Sequence, residues 1–287
     1  MEDVATARRG ASGRLIKLDG PSGVGKTWQA RTIIQGLPEL GIEGLRTLVA
    51  TTERKLKTLE DLEGKFDYYV IDWCDYPDPR DAPRDDRVGK RYTDFINDPR
   101  RNLFKMFWQL RNEEHPYECL YIDSGMRWSV KLLFEITGVN DNPDSRSDYI
   151  PFARRMKLML DHLASLTEGG TKSGKPLNVV MTFGVDPEVD PIEGIKKVMS
   201  AVDGTKIAPV VNYYFDDVFS LRTALEADSN VPGGFRTVYT LRTAAQPQVD
   251  AKVSSAVALP PVIASPNLFK IMCILDGKLE MPQVAQK

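Results

Sequence analysis

Short apolar runs recur along the chain, each closed by glycine, proline or a charged cluster. RLIKLD (14–19), LRTLVATTE (45–53), FDYYVIDW (66–73), ECLYIDS (118–124) and LNVVMTF (177–183) predict five strands, the first apolar enough to be buried. Between them the spacing changes to the helical period. Ala30, Ile33, Ile34 and Leu37 share one face of a helix that Gly36 and Pro38 end. A second helix is expected from about 99 to 113, and SVKLLFEIT (129–137) is a short third. Phe152, Met156, Met159, Leu160 and Leu163 mark an amphipathic fourth. DDVFSLRTAL and FRTVYTLRTA read as two late strands, and a last helix is expected from Asn267 to Leu275.

The polar stretches complete the outline. Residues 77–91, rich in Pro, Asp and Arg, read as a surface excursion, and 138–149 as a polar loop. Residues 184–208 read as long and mostly irregular. Strands that alternate with helices pack most simply as an α/β fold, a mainly parallel sheet covered on both faces, here extended by a late antiparallel hairpin. The expected organisation is a tail at 1–13, a core at 14–265 and a C-terminal helix and tail at 266–287, without a second-domain boundary.

Composition narrows the function. With 42% hydrophobic and 27% charged residues over 287 positions, the chain can bury a sizeable core. No apolar run approaches the roughly 20 residues that span a bilayer, and the polar N-terminus lacks an apolar signal core. Three scattered cysteines, Cys74, Cys119 and Cys273, read as reduced thiols, which with the preceding point places the chain in a cytoplasm. A net charge of −2 excludes a uniformly basic nucleic-acid binder but not a local basic groove. The two histidines, His115 and His162, have no triad or metal-site partners nearby and read as structural or solvated.

One motif carries chemistry. GPSGVGKT (20–27) matches G-x-x-x-x-G-K-[ST] at Gly20, Gly25, Lys26 and Thr27, and it follows a predicted strand and opens a predicted helix. That context separates a phosphate cradle from a glycine-rich turn with a surface lysine. The backbone N–H groups of Gly20, Ser22, Gly23, Val24 and Gly25 can turn inward around phosphates; Pro21, which has no N–H, lies between the first two. The helix N-terminus adds partial positive charge. Lys26 reaches the β- and γ-phosphates, and the Thr27 hydroxyl can ligate Mg²⁺.

Such a loop needs a carboxylate for the metal's water shell, usually at the end of a nearby strand. Asp123, closing CLYIDS, is the preferred candidate and Asp72, in YYVIDW, its competitor. Glu53, at the end of LVATTE, is the candidate to orient the attacking water, with Asp72 and Asp75 as alternatives. Thr182, ending the fifth strand, is placed to feel the γ-phosphate.

The order of these pieces (phosphate loop, a strand ending in Thr-Glu at 52–53, YIDS at 121–124, a strand ending in Thr182, then FDDVFSLR at 215–222 and RTVYTLRTA…AKVSSAVALPP at 236–261) resembles the phage nucleotide-binding proteins of the RecA-like ATPase group, some of which act in single-strand annealing or recombination. The resemblance covers about residues 14 to 265. It implies a RecA-like fold, ATP and Mg²⁺ at Lys26, Thr27 and Asp123, Glu53 as the water-orienting carboxylate, self-assembly, and contact with single-stranded DNA. Two departures stand out. AKVSS keeps Lys252 as a candidate trans-acting cation but lacks the arginine that often follows, and Thr182-Phe183-Gly184 stands where many members have Thr-x-His.

DNA contact would fall on the loops after the fourth and fifth strands, about 138–151 and 184–208. They offer Arg146 and Tyr149, then Lys196, Lys197 and Lys206, against Asp186, Glu188, Asp190 and Glu193. The leading expectation is an ATP-hydrolysing protein of phage recombination or replication, working in the host cytoplasm. A nucleotide-bound assembly protein with little turnover is the alternative. A small-molecule kinase ranks last, with Arg80, Arg84, Arg87 and Arg91 in 77–91 imitating a lid.

Overall fold

The computed structural model describes residues 12–52, 57–72, 96–97, 99–138, 147–189, 196–201, 207–228, 234–246 and 249–280. Glu53, Asp75, Arg146, Lys206 and the whole 77–91 excursion, with Arg80, Arg84, Arg87 and Arg91, therefore lie outside the described residues, as do the side chains of Lys196 and Lys197.

Five strands arise where the apolar runs predicted them: β1 (Leu15–Asp19), β2 (Thr47–Thr51), β3 (Phe66–Val70), β4 (Cys119–Asp123) and β5 (Asn178–Phe183). The late hairpin is β8 (Asp217–Ala227) with β9 (Phe235–Arg242), and β10 (Val262–Ala264) adds a short edge. These eight form one sheet in the order β10-β9-β8-β1-β5-β4-β2-β3. From β8 to β3 every pair is parallel, and β9 and β10 are antiparallel additions. The fold is thus α/β, a mainly parallel sheet with the expected late antiparallel hairpin, and β5 is inserted between the strand that leads into the phosphate loop and the strand that ends in Asp123.

Burial on both faces explains the continuous apolar runs, since residues of one strand alternate between two cores. Leu15, Leu120, Ile122, Val179, Met181 and Val218 point to a core shared with α2 (Leu103–Asn112), α3 (Gly125–Thr137), α4 (Tyr149–Thr167) and α5 (Ala208–Tyr214). Ile16, Leu18, Val49, Tyr121, Val180 and Phe219 point the other way, toward α1 (Lys26–Gln35) and α6 (Leu268–Leu275). The periodic residues named for α1 and α4 are all buried.

Three differences from the sequence expectation have local causes. Helix α2 starts at Leu103, because the Asn102 side chain accepts the Lys105 N–H at 2.6 Å and caps it there. Helix α3 starts four residues before SVKLLFEIT, where Ser124 supplies the cap. Within 184–208, expected as irregular, the chain forms an antiparallel ribbon of β6 (Val185–Val189) and β7 (Lys196–Ser200). The proline and two acidic residues in VDPEV hide that strand from an apolar-pattern reading.

Both histidines are structural. The His115 ring bridges the Leu110 carbonyl at 3.1 Å and the Tyr117 N–H at 3.2 Å. His162, on α4, lies against Phe104 and Phe107, and burial pushes its pKa down from 6.5 to about 4, helped by the charge on Arg111. Between those two values the unfolded chain takes up a proton that folded His162 refuses. Lowering the pH through this window should therefore cost stability, by about 2 kcal/mol from His162. Urea unfolding at pH 7 and pH 4.5 checks this: the parent should lose more stability than His162→Gln, and equal losses would contradict it.

Candidate functional site

The loop leaves β1 at Asp19, and its first glycine answers to a close approach. A Cβ on Gly20 would sit 2.7 Å from Val24 Cγ2 and 2.9 Å from the Leu221 carbonyl oxygen of β8. The Gly20 N–H is tied to the Phe183 carbonyl at the end of β5. Gly23 and Gly25 adopt left-handed backbone, at φ 80° and 88°, which turns the chain into α1.

Lys26 opens α1 and folds back across the loop, its ammonium donating to the Gly20 carbonyl at 2.6 Å and the Pro21 carbonyl at 2.7 Å. Burial lowers its pKa, while Asp123 and then Asp19 pull it back up. Thr27 Oγ1 donates to Asp123 Oδ2 at 2.7 Å, and Thr182 Oγ1 donates to Asp123 Oδ1 at 2.9 Å. Both carboxylate oxygens are thus held by hydroxyls, one from the phosphate-loop helix and one from the intervening strand. The Asp123–Ser124 peptide is cis.

Of the two candidate carboxylates, Asp123 is the one that lies beside Thr27. Asp72 follows edge strand β3, exposed, with its N–H on the Arg101 carbonyl. Strand β2 runs beside β4 with Thr51 opposite Asp123, and the Thr52 N–H reaches the Asp123 carbonyl at 3.4 Å. Glu53 is the next residue and lies outside the described region. Lys252 is elsewhere. It is exposed, exchanges main-chain hydrogen bonds with Val218 near the start of β8, and borders a separate small depression with Asn212 and Asp250.

A cavity of about 970 Å³ opens over the loop. One wall is Asp123, Ser124, Met126 and Arg127, with Gly184 and Val185 at the root of the β6–β7 ribbon. The other end is lined by Trp28, Tyr239 and Pro266, none of which the motif reading found. Trp28, half exposed, was visible as the residue after the motif, with the Arg31 guanidinium 5.1 Å above its ring. Tyr239 and Pro266 carry no local signal, because only the hairpin and α6 bring them to α1. Gln29 makes that junction: its buried amide donates to the Pro266 carbonyl at 3.2 Å and accepts the Leu268 N–H at 3.0 Å.

A charged network lies beneath the loop. Lys17, fully buried in β1, donates to Asp19 at 2.6 Å and to Asn212 at 2.5 Å, and Ser200 at the end of β7 donates to Asp19 at 3.3 Å. The residue before the phosphate loop is therefore joined to the base of the ribbon.

These residues fit a triphosphate and a hard divalent cation. The loop is a concave cradle that a Cβ at Gly20 would disturb, and the hydrogen bonds of Lys26 run to the carbonyls of the loop it encloses. Among the described residues no group of three or more His, Cys, Asp or Glu is placed to hold a metal. One carboxylate with one hydroxyl suits Mg²⁺, which keeps its waters and relies on substrate phosphates.

The glycines predict a graded response. Gly20→Ala must displace the β8 main chain or Val24 and should cost about 2 to 3 kcal/mol. Gly23→Ala meets open space and pays for backbone conformation alone, about 1 kcal/mol. Denaturant unfolding of the two variants checks the order, and a costlier Gly23→Ala would contradict the packing described.

No protein-family model matches the chain, and no curated protein does. Among solved structures it is similar to the flagellar accessory protein FlaH from Methanocaldococcus jannaschii, with 8% sequence identity over 88% of this chain and 85% of that one and a TM-score of 0.44. A likeness that distant adds nothing to the functional argument.

Proposed function

We propose that the chain binds and hydrolyses ATP with Mg²⁺. The convergence of Thr27 and Thr182 on the Asp123 carboxylate, at the mouth of the phosphate loop, is the observation that carries this reading. The loop amides and the α1 N-terminus bind the phosphates, and Lys26 leaves the Gly20 and Pro21 carbonyls for phosphate oxygens. Thr27 and Asp123 would hold the cation, which supplies charge neutralisation on the phosphates. Thr182 keeps Asp123 oriented. Glu53, following Thr52 at the end of β2, orients a water for in-line attack on the γ-phosphorus; the bond to the bridging oxygen breaks, and ADP and phosphate leave. The base lies on the distal wall, where Tyr239, Trp28 and Pro266 offer stacking faces.

The wider role rests on the sequence resemblance: action on single-stranded DNA in phage recombination or replication, as a homo-oligomer with Lys252 as a trans-acting cation. The β6–β7 ribbon supports the DNA part, since it carries Lys196 and Lys197 and its root, Gly184 and Val185, borders the cavity. A second reading, nucleotide as an assembly ligand with little turnover, is favoured by position 184. The family histidine is replaced there by glycine, and even a Cβ would lie 2.5 Å from the Met126 sulfur.

Lys26→Ala should weaken ATP binding by about tenfold to a hundredfold, the loss expected for charge-assisted hydrogen bonds; unchanged binding would overturn the assignment. Tyr239→Ala should weaken ATP about tenfold by lost stacking while inorganic tripolyphosphate binding stays within about twofold. Phosphate release with and without single-stranded DNA separates hydrolysis from the assembly reading: turnover that DNA alters supports the first, and bound nucleotide without turnover supports the second.

A further inference from the structure

Strand β4 is apolar up to Asp123 except for one hydroxyl. Tyr121 is fully buried, between Val49 of β2 and Val180 of β5 in register, on the face that meets α1. A buried phenol needs a partner. Its hydroxyl donates to the main-chain carbonyl of Lys26 at 2.5 Å.

The placement of this bond matters more than its strength. Tyr121 is two residues before Asp123 on the same strand face, and Lys26 is the residue before Thr27. The bond therefore links the two segments that carry the candidate metal-holding groups. A second link between them runs from the Thr27 hydroxyl to Asp123 and leaves the Thr27 oxygen lone pairs free for a cation. The Tyr121 hydroxyl adds a tie between the first turn of α1 and β4 that involves neither Thr27 Oγ1 nor the Asp123 carboxylate.

We propose that Tyr121 is a positioning residue, setting the register between Thr27 and Asp123 and thereby the affinity of the site for a divalent cation. This rests on the nucleotide reading above. It concerns the cation-dependent part of binding only, because the phosphate loop and Lys26 act on phosphates without it.

The test is binding of a fluorescent, non-hydrolysable ATP analogue to the full chain, first in EDTA and then over a Mg²⁺ titration. Tyr121→Phe removes one oxygen and keeps the ring. It should raise the Mg²⁺ midpoint about threefold to tenfold, the value of one hydrogen bond, and leave the EDTA affinity within about twofold. Tyr69→Phe is the structural control: it removes another hydroxyl, bonded to the Asn102 carbonyl on edge strand β3, and should lower thermal stability without moving the midpoint. Tyr121→Leu carries the same expectation as Tyr121→Phe should the latter not fold. An unmoved midpoint in the Tyr121 variants, or an equal shift in Tyr69→Phe, would overturn the inference. Lys26→Ala run in parallel separates the two levels. If it binds the analogue like the parent, the nucleotide reading falls and takes this inference with it. If it loses binding while the Tyr121 variants are silent, only the role of Tyr121 falls.

Discussion

The Asp123 carboxylate is the point on which the site depends. It ends a buried strand, and hydroxyls from two other elements claim its two oxygens. Those hydroxyls reach it because β5 lies between β1 and β4, so that Thr182 flanks Asp123 on one side while α1 delivers Thr27 from above. A different strand order would leave the same residues apart. The two hydroxyl donors bring no positive charge of their own to the site, whereas a lysine partner would place one where a cation should sit. Lys26, nearby, spends its hydrogen bonds on main-chain carbonyls instead.

The contacts around this point serve alignment. Gln29 ties α1 to the segment entering α6, and so brings Pro266 and the hairpin face with Tyr239 to the far end of the cavity. Lys17 and Asp19 form a buried pair under the loop, an arrangement that hydrophobic residues could often replace without loss of stability. Its partners, Asn212 on α5 and Ser200 on β7, show that the pair joins the loop to elements on the opposite face.

Much of this was legible in the sequence because it depends on local signals. Parallel strands buried on both faces produce unbroken apolar runs, and a phosphate loop requires glycines at fixed offsets before a helix. Asp123 was preferred because its strand follows a helix-containing crossover and ends in Asp-Ser, and it is the candidate that lies beside Thr27. What could not be read depends on contacts between distant segments. Tyr239 and Pro266 meet Trp28 only after the hairpin and α6 have packed. The β6–β7 ribbon carries a proline and two acidic residues on one strand and two lysines on the other, which mask the strands to any apolar-pattern reading. Tyr121 looked like one more near-apolar strand residue, and only its partner on Lys26 distinguishes it from the leucine beside it.

The most direct measurement is a crystal structure with a non-hydrolysable ATP analogue and Mg²⁺. The account predicts the triphosphate inside the Gly20–Gly25 loop, Lys26 Nζ on phosphate oxygens and off the Gly20 and Pro21 carbonyls, and Thr27 Oγ1 about 2.1 Å from the cation. A triphosphate bound elsewhere, or Lys26 still on the Gly20 and Pro21 carbonyls with nucleotide bound, would contradict it.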